Sequence, residues 1–474
     1  MSSALSVTAG TRRAVDTARL GRLLRDICGP SHVKTDADAL APYGHDETHG
    51  LTPIPPDAVV LPGNTREVAE VMRACASLEL PVVPRGAGTG RSGGCVPAHG
   101  GVVVALTRMA AVNEIDPSDG VAVVEPGVIL GAFQQRVEAE GWFYPPDPAS
   151  LADCTLGGNV AENAGGPRAV KYGVTRDYLL GLEAVLPTGE TVRMGRRSQK
   201  GVAGYDLAGL MCGSEGTLAI LTSLTLRIIP RPPVVQTGVM AFASAQDAAR
   251  TVTAVLARGI RPRTLEYLDA LTLDAVRPLG GYAFPADARA ALIIEADGVS
   301  EDAVWEELRR AAEVATAHGA QEVVLAQDEA QRRRIWDTRH KLSAATRQLT
   351  GHKVSEDVVV PRGRVPEMVA RLAATGERHG LRVGAFGHAG DGNLHVQVIF
   401  NDPVAQKAQV EACLREVTVE ALQLGGSVSG EHGVGLAKRA LLELEQGPEV
   451  IALQKRIKAA FDPRGILNPG KVFP

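Results

Sequence analysis

A chain of 474 residues with 45% hydrophobic and 22% charged side chains is too long for a single core, and its formal net charge of -4 leaves no electrostatic footprint for nucleic acid. Its six cysteines, at positions 28, 75, 95, 154, 212 and 413, include no Cys-x-x-Cys pair. That excludes a zinc knuckle or an iron–sulfur cluster held by this chain, and it fits a reducing, cytoplasmic setting.

In chain order, Met1 to Asp16 is rich in Ser, Thr and Ala, with Arg12 and Arg13. It reads as a disordered tail, an organellar presequence being the alternative. Residues 17–50 form a helical lead-in. The first firm strand is Ala58 to Leu61, followed by a helix with an Asn64/Glu67 capping box and Val68, Val71, Met72, Cys75 and Leu78 at helical spacing. A strand at Val82-Val83 completes a small βαβ unit.

That strand runs into Pro84-Arg-Gly-Ala-Gly-Thr-Gly-Arg-Ser-Gly-Gly94, a loop with five glycines. Without Cβ atoms such a backbone reaches φ > 0 and lays its N–H groups against a diphosphate. Gly88-x-Gly90-x-x-Gly93 satisfies the dinucleotide fingerprint, but a Rossmann unit requires the loop to open into a helix. Here Cys95 to Gly101 carries a proline and two more glycines before the strand Val102 to Leu106, so strand joins strand. A flavin cradle is favoured over a nicotinamide site, with a structural glycine turn as the plain alternative.

Strands at 102–106 and 121–125, a helix over 129–140 and a strand near Trp142 to Tyr144 extend the first half. Pro145 to Pro148 and Thr155 to Gly166 show neither helical nor strand period, and their glycines and amides suit a second face of the same ligand. A hairpin, Leu179 to Leu186 with Glu190 to Met194, precedes Gly213-Ser-Glu-Gly-Thr217 and a strand over 218–229. Pro230-Arg-Pro-Pro233 marks a boundary.

Beyond it the order is strand, helix 245–258, strand near Leu265, strand 291–295, helix 301–318 and strand 323–325. This resembles a ferredoxin-like layer set as a lid on the first half. An arginine-rich helix (328–349), a strand from Asp357 to Val360, a helix over 364–379 and paired strands at 381–388 and 394–400 complete it. A helix over Leu436 to Glu445 follows, and the tail Phe461 to Phe473 is apolar enough to dock. The fold class is α+β, divided as 1–50 (tail and lead-in), 51–232 (cofactor domain), 233–447 (cap with the chemistry) and 448–474 (return segment).

The chemistry-bearing stretch is Phe386-Gly-His-Ala-Gly-Asp-Gly-Asn-Leu-His395, with two histidines about an Asp391-Gly392 hairpin turn. Paired flanking strands bring His388 and His395 opposite one another, a metal-ligand arrangement for which Glu431 of Ser429 to Gly435 offers an oxygen. Hydrogen-bonded structural histidines are the competing reading. His432 then stands ready as a base for a metal-bound hydroxyl. On the helix Gln331 to Lys341, Arg339 could bind a carboxylate bidentately, with Lys353 the second candidate and a solvated face the alternative for each.

As a set these residues resemble the flavin-dependent 2-hydroxy-acid dehydrogenases of the vanillyl-alcohol-oxidase superfamily, with their PCMH-type FAD-binding domain. The nearest branch holds the D-subunit of glycolate oxidase and the D-lactate dehydrogenases. The resemblance runs from about Leu51 to Pro474, over seven motifs in order: Pro-Arg-Gly-Ala-Gly-Thr-Gly90, Pro-Pro-Asp-Pro148, Gly-Gly-Asn-Val-Ala-Glu-Asn-Ala-Gly-Gly166, Gly-Ser-Glu-Gly-Thr217, Gly-His-Ala-Gly-Asp-Gly-Asn-Leu-His395, Gly-Glu-His-Gly-Val-Gly435 and Asn-Pro-Gly-Lys471.

It implies FAD held by Arg85, Gly86, Ala87, Gly88, Thr89, Gly90 and Ser92 at the pyrophosphate. Asp147, Thr155, Gly158, Asn159, Asn163, Gly165 and Gly216 run along the rest, and Asn468 returns to it. His388, His395 and Glu431 match the family's ligands for a divalent metal (Zn, Mn or Fe), His432 its proton acceptor and Arg339 its carboxylate-binding arginine. No histidine occupies the glycine loop, so the FAD is expected to be non-covalent.

Arg91 stands where the family has an apolar residue. Ser343, Lys353 and Gln397 depart from the pocket of the hydroxyglutarate branch, which argues against D-2-hydroxyglutarate. The implied reaction is oxidation of a small D-2-hydroxy acid, D-lactate or glycolate, with electrons passed to a quinone or to electron-transfer subunits. Peripheral contact with the inner membrane and a homodimer are left open. D-2-hydroxyglutarate dehydrogenase, an accessory flavoprotein and a redox-neutral alkyl transferase of the same fold are the other readings.

Overall fold

The computed structural model describes residues 15–348 and 352–474. The reading of the first 14 residues, with Arg12 and Arg13, and that of the Ser343 side chain fall outside the described residues.

Two sheet systems make up the first half. The strands Val33–Lys34, Ala58–Val60, Val102–Ala105 and Val82–Arg85 form a four-stranded sheet in that spatial order, the last three parallel. The βαβ unit is therefore split, because Val102–Ala105 inserts between its two strands. The crossover helix Thr65–Leu78 starts where the Asn64 side chain accepts the Glu67 N–H at 3.0 Å, and it buries Val68, Val71, Met72 and Cys75 on the sheet. A loop without a helix joins Val82–Arg85 to Val102–Ala105, as the prolines and glycines require.

The second sheet is antiparallel, in the order Val112–Asp116, Val121–Val124, Ile220–Arg227, Leu179–Val185 and Thr191–Gly195. The first of these went unread, because Val-Asn-Glu-Ile-Asp is a polar edge strand with no alternation to show.

Trp142–Phe143 and Ile229–Pro230 form a small two-stranded sheet, and Val234–Phe242 opens a seven-stranded antiparallel sheet. Its order is Ala320–Leu325, Val234–Phe242, Ala290–Gly298, Thr264–Asp269, Arg382–Gly387, Asn393–Phe400 and His352–Val359. Alternate residues serve opposite faces. Met240 and Phe242 pack with the helices Ala245–Ala257 and Glu301–Ala317, whereas Val239 and Ala241 pack with Ala270–Val276 and Glu329–Gln348. With helices on both faces the strands read as continuous apolar runs, which hides their period of two.

Three groups of contacts are among those that join the halves. Asp297 takes Lys171 Nζ at 2.5 Å, Tyr172 OH at 2.8 Å and Arg263 Nη1 at 2.8 Å. Glu215 accepts the N–H groups of Val434 at 2.8 Å and Gly435 at 2.6 Å. The tail docks: Val82 donates to Ile466 O at 2.8 Å, and Asn468 N–H donates to Val82 O at 2.7 Å.

Some expectations are corrected. The stretch 155–166, read as irregular, contains the helix Leu156–Glu162, started by the Thr155 hydroxyl, which accepts the Gly158 N–H at 3.3 Å. Its paired glycines mask the helical period, and a Cβ on Gly157 would come within 2.5 Å of the Pro126 side chain. The helix expected from Leu436 begins at Arg439, and Lys407–Gln423 and Pro448–Phe461 are further helices that the reading passed over. Among the described residues no helix is long and apolar enough to cross a membrane.

Candidate functional site

A cavity of about 560 Å³ lies between the glycine loop and the seven-stranded sheet. Its wall on the first half is built from Arg85 to Arg91, Asp147 to Leu151, Thr155, Gly158, Asn159, Gly165 and Gly216. Gly88 has φ +83°, and a Cβ there would meet the Arg85 guanidinium at 2.0 Å. Arg85 is held inside the loop, donating to His45 O at 2.7 Å and stacked on Tyr43, so it braces the loop. Gly86 faces Thr155 so closely that a Cβ would lie 2.3 Å from its hydroxyl. The two loops thus meet through the Gly86 backbone and the Thr155 side chain, and a side chain at 86 would not fit between them.

Buried polar atoms without protein partners line the same wall: Asp46 Oδ2, Asn159 Nδ2 and Glu162 Oε2. Burying such atoms unpaired costs about 1–3 kcal/mol each, which a ligand rich in hydroxyls, amides and ring N–H groups removes. The cradle and these atoms fit FAD. Asp147 pairs with Arg168 at 3.0 Å, and burial, against that arginine, pushes its carboxyl up to about 6. Ser92, Asn163 and Asn468 lie off the cavity wall. Ser92 O accepts the Leu436 and Ala437 N–H groups, Asn163 is the left-handed cap of its helix, and Asn468 donates to Gly94 O and Glu215 O. These three prop the loops from behind.

On the opposite wall the strands Arg382–Gly387 and Asn393–Phe400 pair with Phe386 opposite His395, and His388 lies just beyond the strand end. The two Nε2 atoms approach to 3.4 Å, and Glu431 Oε1 lies 3.6 Å from each. Tetrahedral bonds of about 2.0–2.1 Å put ligand atoms roughly 3.4 Å apart, so this triangle has the dimensions of a metal site with open positions. Glu431 Oε2 is buried without a partner. His432 stacks on His395, with ring centroids 5.6 Å apart and planes 9° from parallel, and its Nε2 is 4.0 Å from Glu431 Oε1. Burial drives the His432 imidazole down to about 4 against the pull of Asp357 and Glu431.

Two carboxylates that the sequence reading did not single out stand behind this set. Asp357, paired in register with His395, accepts the N–H groups of Gly430, Glu431 and His432 on Oδ2 and Asn393 Nδ2 on Oδ1. Burial opposes its charge, but His432, His395 and Lys438 hold its carboxyl well below the usual range. Glu266 is wholly buried between His388 and Arg339. Burial opposes its charge too, and the facing Arg339 and His388 outweigh it, holding its carboxyl at about 2. An acid at an inner position of Thr-Leu-Glu-Tyr-Leu-Asp269 was the available signal.

Arg339 reaches the cavity from the helix Glu329–Gln348, over the Phe386 ring at 5.0 Å. Lys353 does not line the cavity; its Nζ donates to Thr346 Oγ1 at 3.0 Å. Ser355 and Gln397, opposite one another in the sheet, do line it.

Residues 56–195 match the family described as "FAD binding domain" and residues 231–472 that described as "FAD linked oxidases, C-terminal domain". The chain is 39% identical to the glycolate oxidase subunit GlcD of Bacillus subtilis over 95% of this chain and 96% of that one. It is 37% identical to the D-lactate dehydrogenase of Anaerostipes hadrus over 94% and 95%. Among solved structures, p-cresol methylhydroxylase with substrate bound superposes with a TM-score of 0.78 at 20% identity, over 96% of both chains, and so shares the fold. Motif order, fold and relatives agree that this chain belongs to the FAD-linked oxidases of the PCMH-type, vanillyl-alcohol-oxidase superfamily.

Proposed function

We propose that the protein oxidises a small D-2-hydroxy acid, of the D-lactate or glycolate type, to the 2-oxo acid and passes the electrons to a quinone or a protein partner. The observation that carries this reading is the triangle His388, His395 and Glu431 with His432 beside it, on the wall facing the glycine cradle of one cavity. A bound FAD supplies a two-electron acceptor, and a divalent ion (Zn, Mn or Fe) supplies the Lewis acidity that makes an aliphatic hydroxyl proton accessible at neutral pH.

The chain's own residues do the rest. His432 is neutral at physiological pH, because burial disfavours its cation, and its Nε2 side faces the triangle. It therefore accepts the hydroxyl proton, a contribution of typically 10²–10⁴-fold. Arg339 offers the substrate carboxylate the N–H groups that Glu266 does not occupy. The Phe386 ring beneath its guanidinium shields that pair from water, which strengthens it. With the hydroxyl proton on His432 and the carboxylate held by Arg339, FAD in the glycine cradle would supply the acceptor for the hydride of the carbinol carbon, which would become the carbonyl.

The test is anaerobic titration of the purified yellow protein against D- and L-2-hydroxy acids, followed by a comparison of acceptors. Bleaching by D-lactate or glycolate, with fast reduction of a phenol-indophenol dye and slow formation of hydrogen peroxide, is expected. Flavin that no 2-hydroxy acid bleaches would end this reading, and peroxide formed as fast as dye is reduced would remove the partner.

A further inference from the structure

Of the buried carboxylates around the cavity, Glu266 has the most specific pair of partners. Its Oε1 accepts His388 Nδ1 at 2.6 Å, and its Oε2 faces both Nε and Nη2 of Arg339 at 2.5 Å. Its side chain has no exposed surface, and it comes from Thr264–Asp269, a strand with no other residue in the metal triangle. Within hydrogen-bonding distance it meets only donors: one imidazole N–H and one guanidinium edge.

We infer that Glu266 is the positioning residue that couples the metal centre to the carboxylate anchor. By taking the proton-bearing Nδ1 of His388 it fixes the tautomer whose Nε2 lone pair points at His395 and Glu431. By taking the Nε edge of Arg339 it stops the guanidinium from swinging about its long stem, so the remaining N–H groups meet the substrate from one direction. Metal affinity and acid recognition thus share one buried anion. Outer carboxylates that orient a ligating imidazole typically account for ten- to a hundredfold in metal affinity. Glutamine cannot replace it, because the carboxamide has one accepting oxygen and must turn its NH₂ toward the second donor. This inference rests on the metal reading given above.

The experiment uses FAD-loaded protein and competes Zn²⁺ against a chromogenic chelator. Glu266→Gln is expected to lose about ten- to a hundredfold in Zn²⁺ affinity. It should keep the flavin spectrum of the parent and a cooperative melting transition at a lower temperature, because a buried donor loses its acceptor, and at saturating Zn²⁺ the KM for the acid should rise more than kcat falls. Unchanged Zn²⁺ affinity in folded Glu266→Gln overturns the inference and leaves the metal reading standing. A parent that binds no Zn²⁺ removes both.

If the variant fails to retain FAD, the Zn²⁺-loaded parent carries the test through ¹⁵N-histidine spectra. His388 protonated at Nδ1 and metallated at Nε2 supports the inference, and the reverse tautomer overturns it.

Discussion

Asp357 Oδ2 accepts the backbone N–H of His432 at 3.1 Å, the last of three successive N–H groups that close on this one oxygen. The loop carrying Glu431 and His432 has no regular hydrogen-bonding pattern of its own, so this carboxylate sets its shape. Asp357→Ala strips the acceptor from three N–H groups at once. At about 1 kcal/mol or more for each, a loss of about 3 kcal/mol is expected in urea unfolding, with turnover nearly abolished. A variant with parental stability and parental kcat would show that the loop holds itself.

The proposed cofactor cradle and the proposed metal ligands lie on opposite walls of the cavity, so they should separate. His388→Ala, His395→Ala and Glu431→Ala, or chelation of the parent, are expected to abolish turnover while the flavin absorbance stays. Full activity in protein shown to be metal-free by elemental analysis would return the three residues to an internal hydrogen-bonding role.

Arg339→Lys keeps the charge and loses the planar fork. The substitution should cost about 1.5–3 kcal/mol of transition-state stabilisation, roughly ten- to 150-fold in kcat/KM. Steady-state kinetics on the best acid measures it, and an unchanged kcat/KM would mean that the acid is held elsewhere, for instance by Arg332, which also lines the cavity.

The glycine loop has no histidine for an 8α bond, so acid or heat should release the flavin into the supernatant. Yellow colour that stays with the chain on a denaturing gel contradicts this.

The buried cysteines give a pH dependence whose sign is fixed. Burial pushes the Cys75 thiol up to about 12, and Cys28 and Cys95, also chiefly by burial, reach about 12. For an acid whose folded pKa is raised, the stabilisation is complete below the unfolded value near 8.5. It is lost as pH rises toward the folded value. Cys75 alone should cost about 1.4 kcal/mol per pH unit between roughly pH 9 and 12. Urea midpoints across that range check it, and Cys75→Ala should flatten part of the slope.

What the sequence showed best was whatever glycine and proline punctuate. The strand-to-strand loop at Arg85–Gly94 and the hairpin at Asp391-Gly392 were legible, because only a few residue types meet their backbone demands. Glu266 and Asp357 were not legible as part of the site. Each shares its strand with a second acid, Asp269 or Glu356, that gives it no distinguishing pattern, and its partners lie on other elements far along the chain. The helix Leu156–Glu162 was hidden by glycines that serve its contact with Pro126, and the polar edge strand Val112–Asp116 has no buried face to give it a pattern. Lys353 was proposed from its charge; it shares a strand face with Ser355, which lines the cavity, but it sits two residues nearer the strand's start, where its Nζ donates to Thr346 Oγ1.

The strand that launches the glycine loop takes its final backbone partner from Leu467, almost at the other end of the polypeptide. During synthesis Val82 leaves the ribosome early and waits for nearly the whole chain before that edge is closed. Until then the nascent first half carries an open sheet edge, and the glycine loop lacks the backing of Asn468. A substitution that undocks this segment would act on flavin retention before it touched the chemistry of the cap.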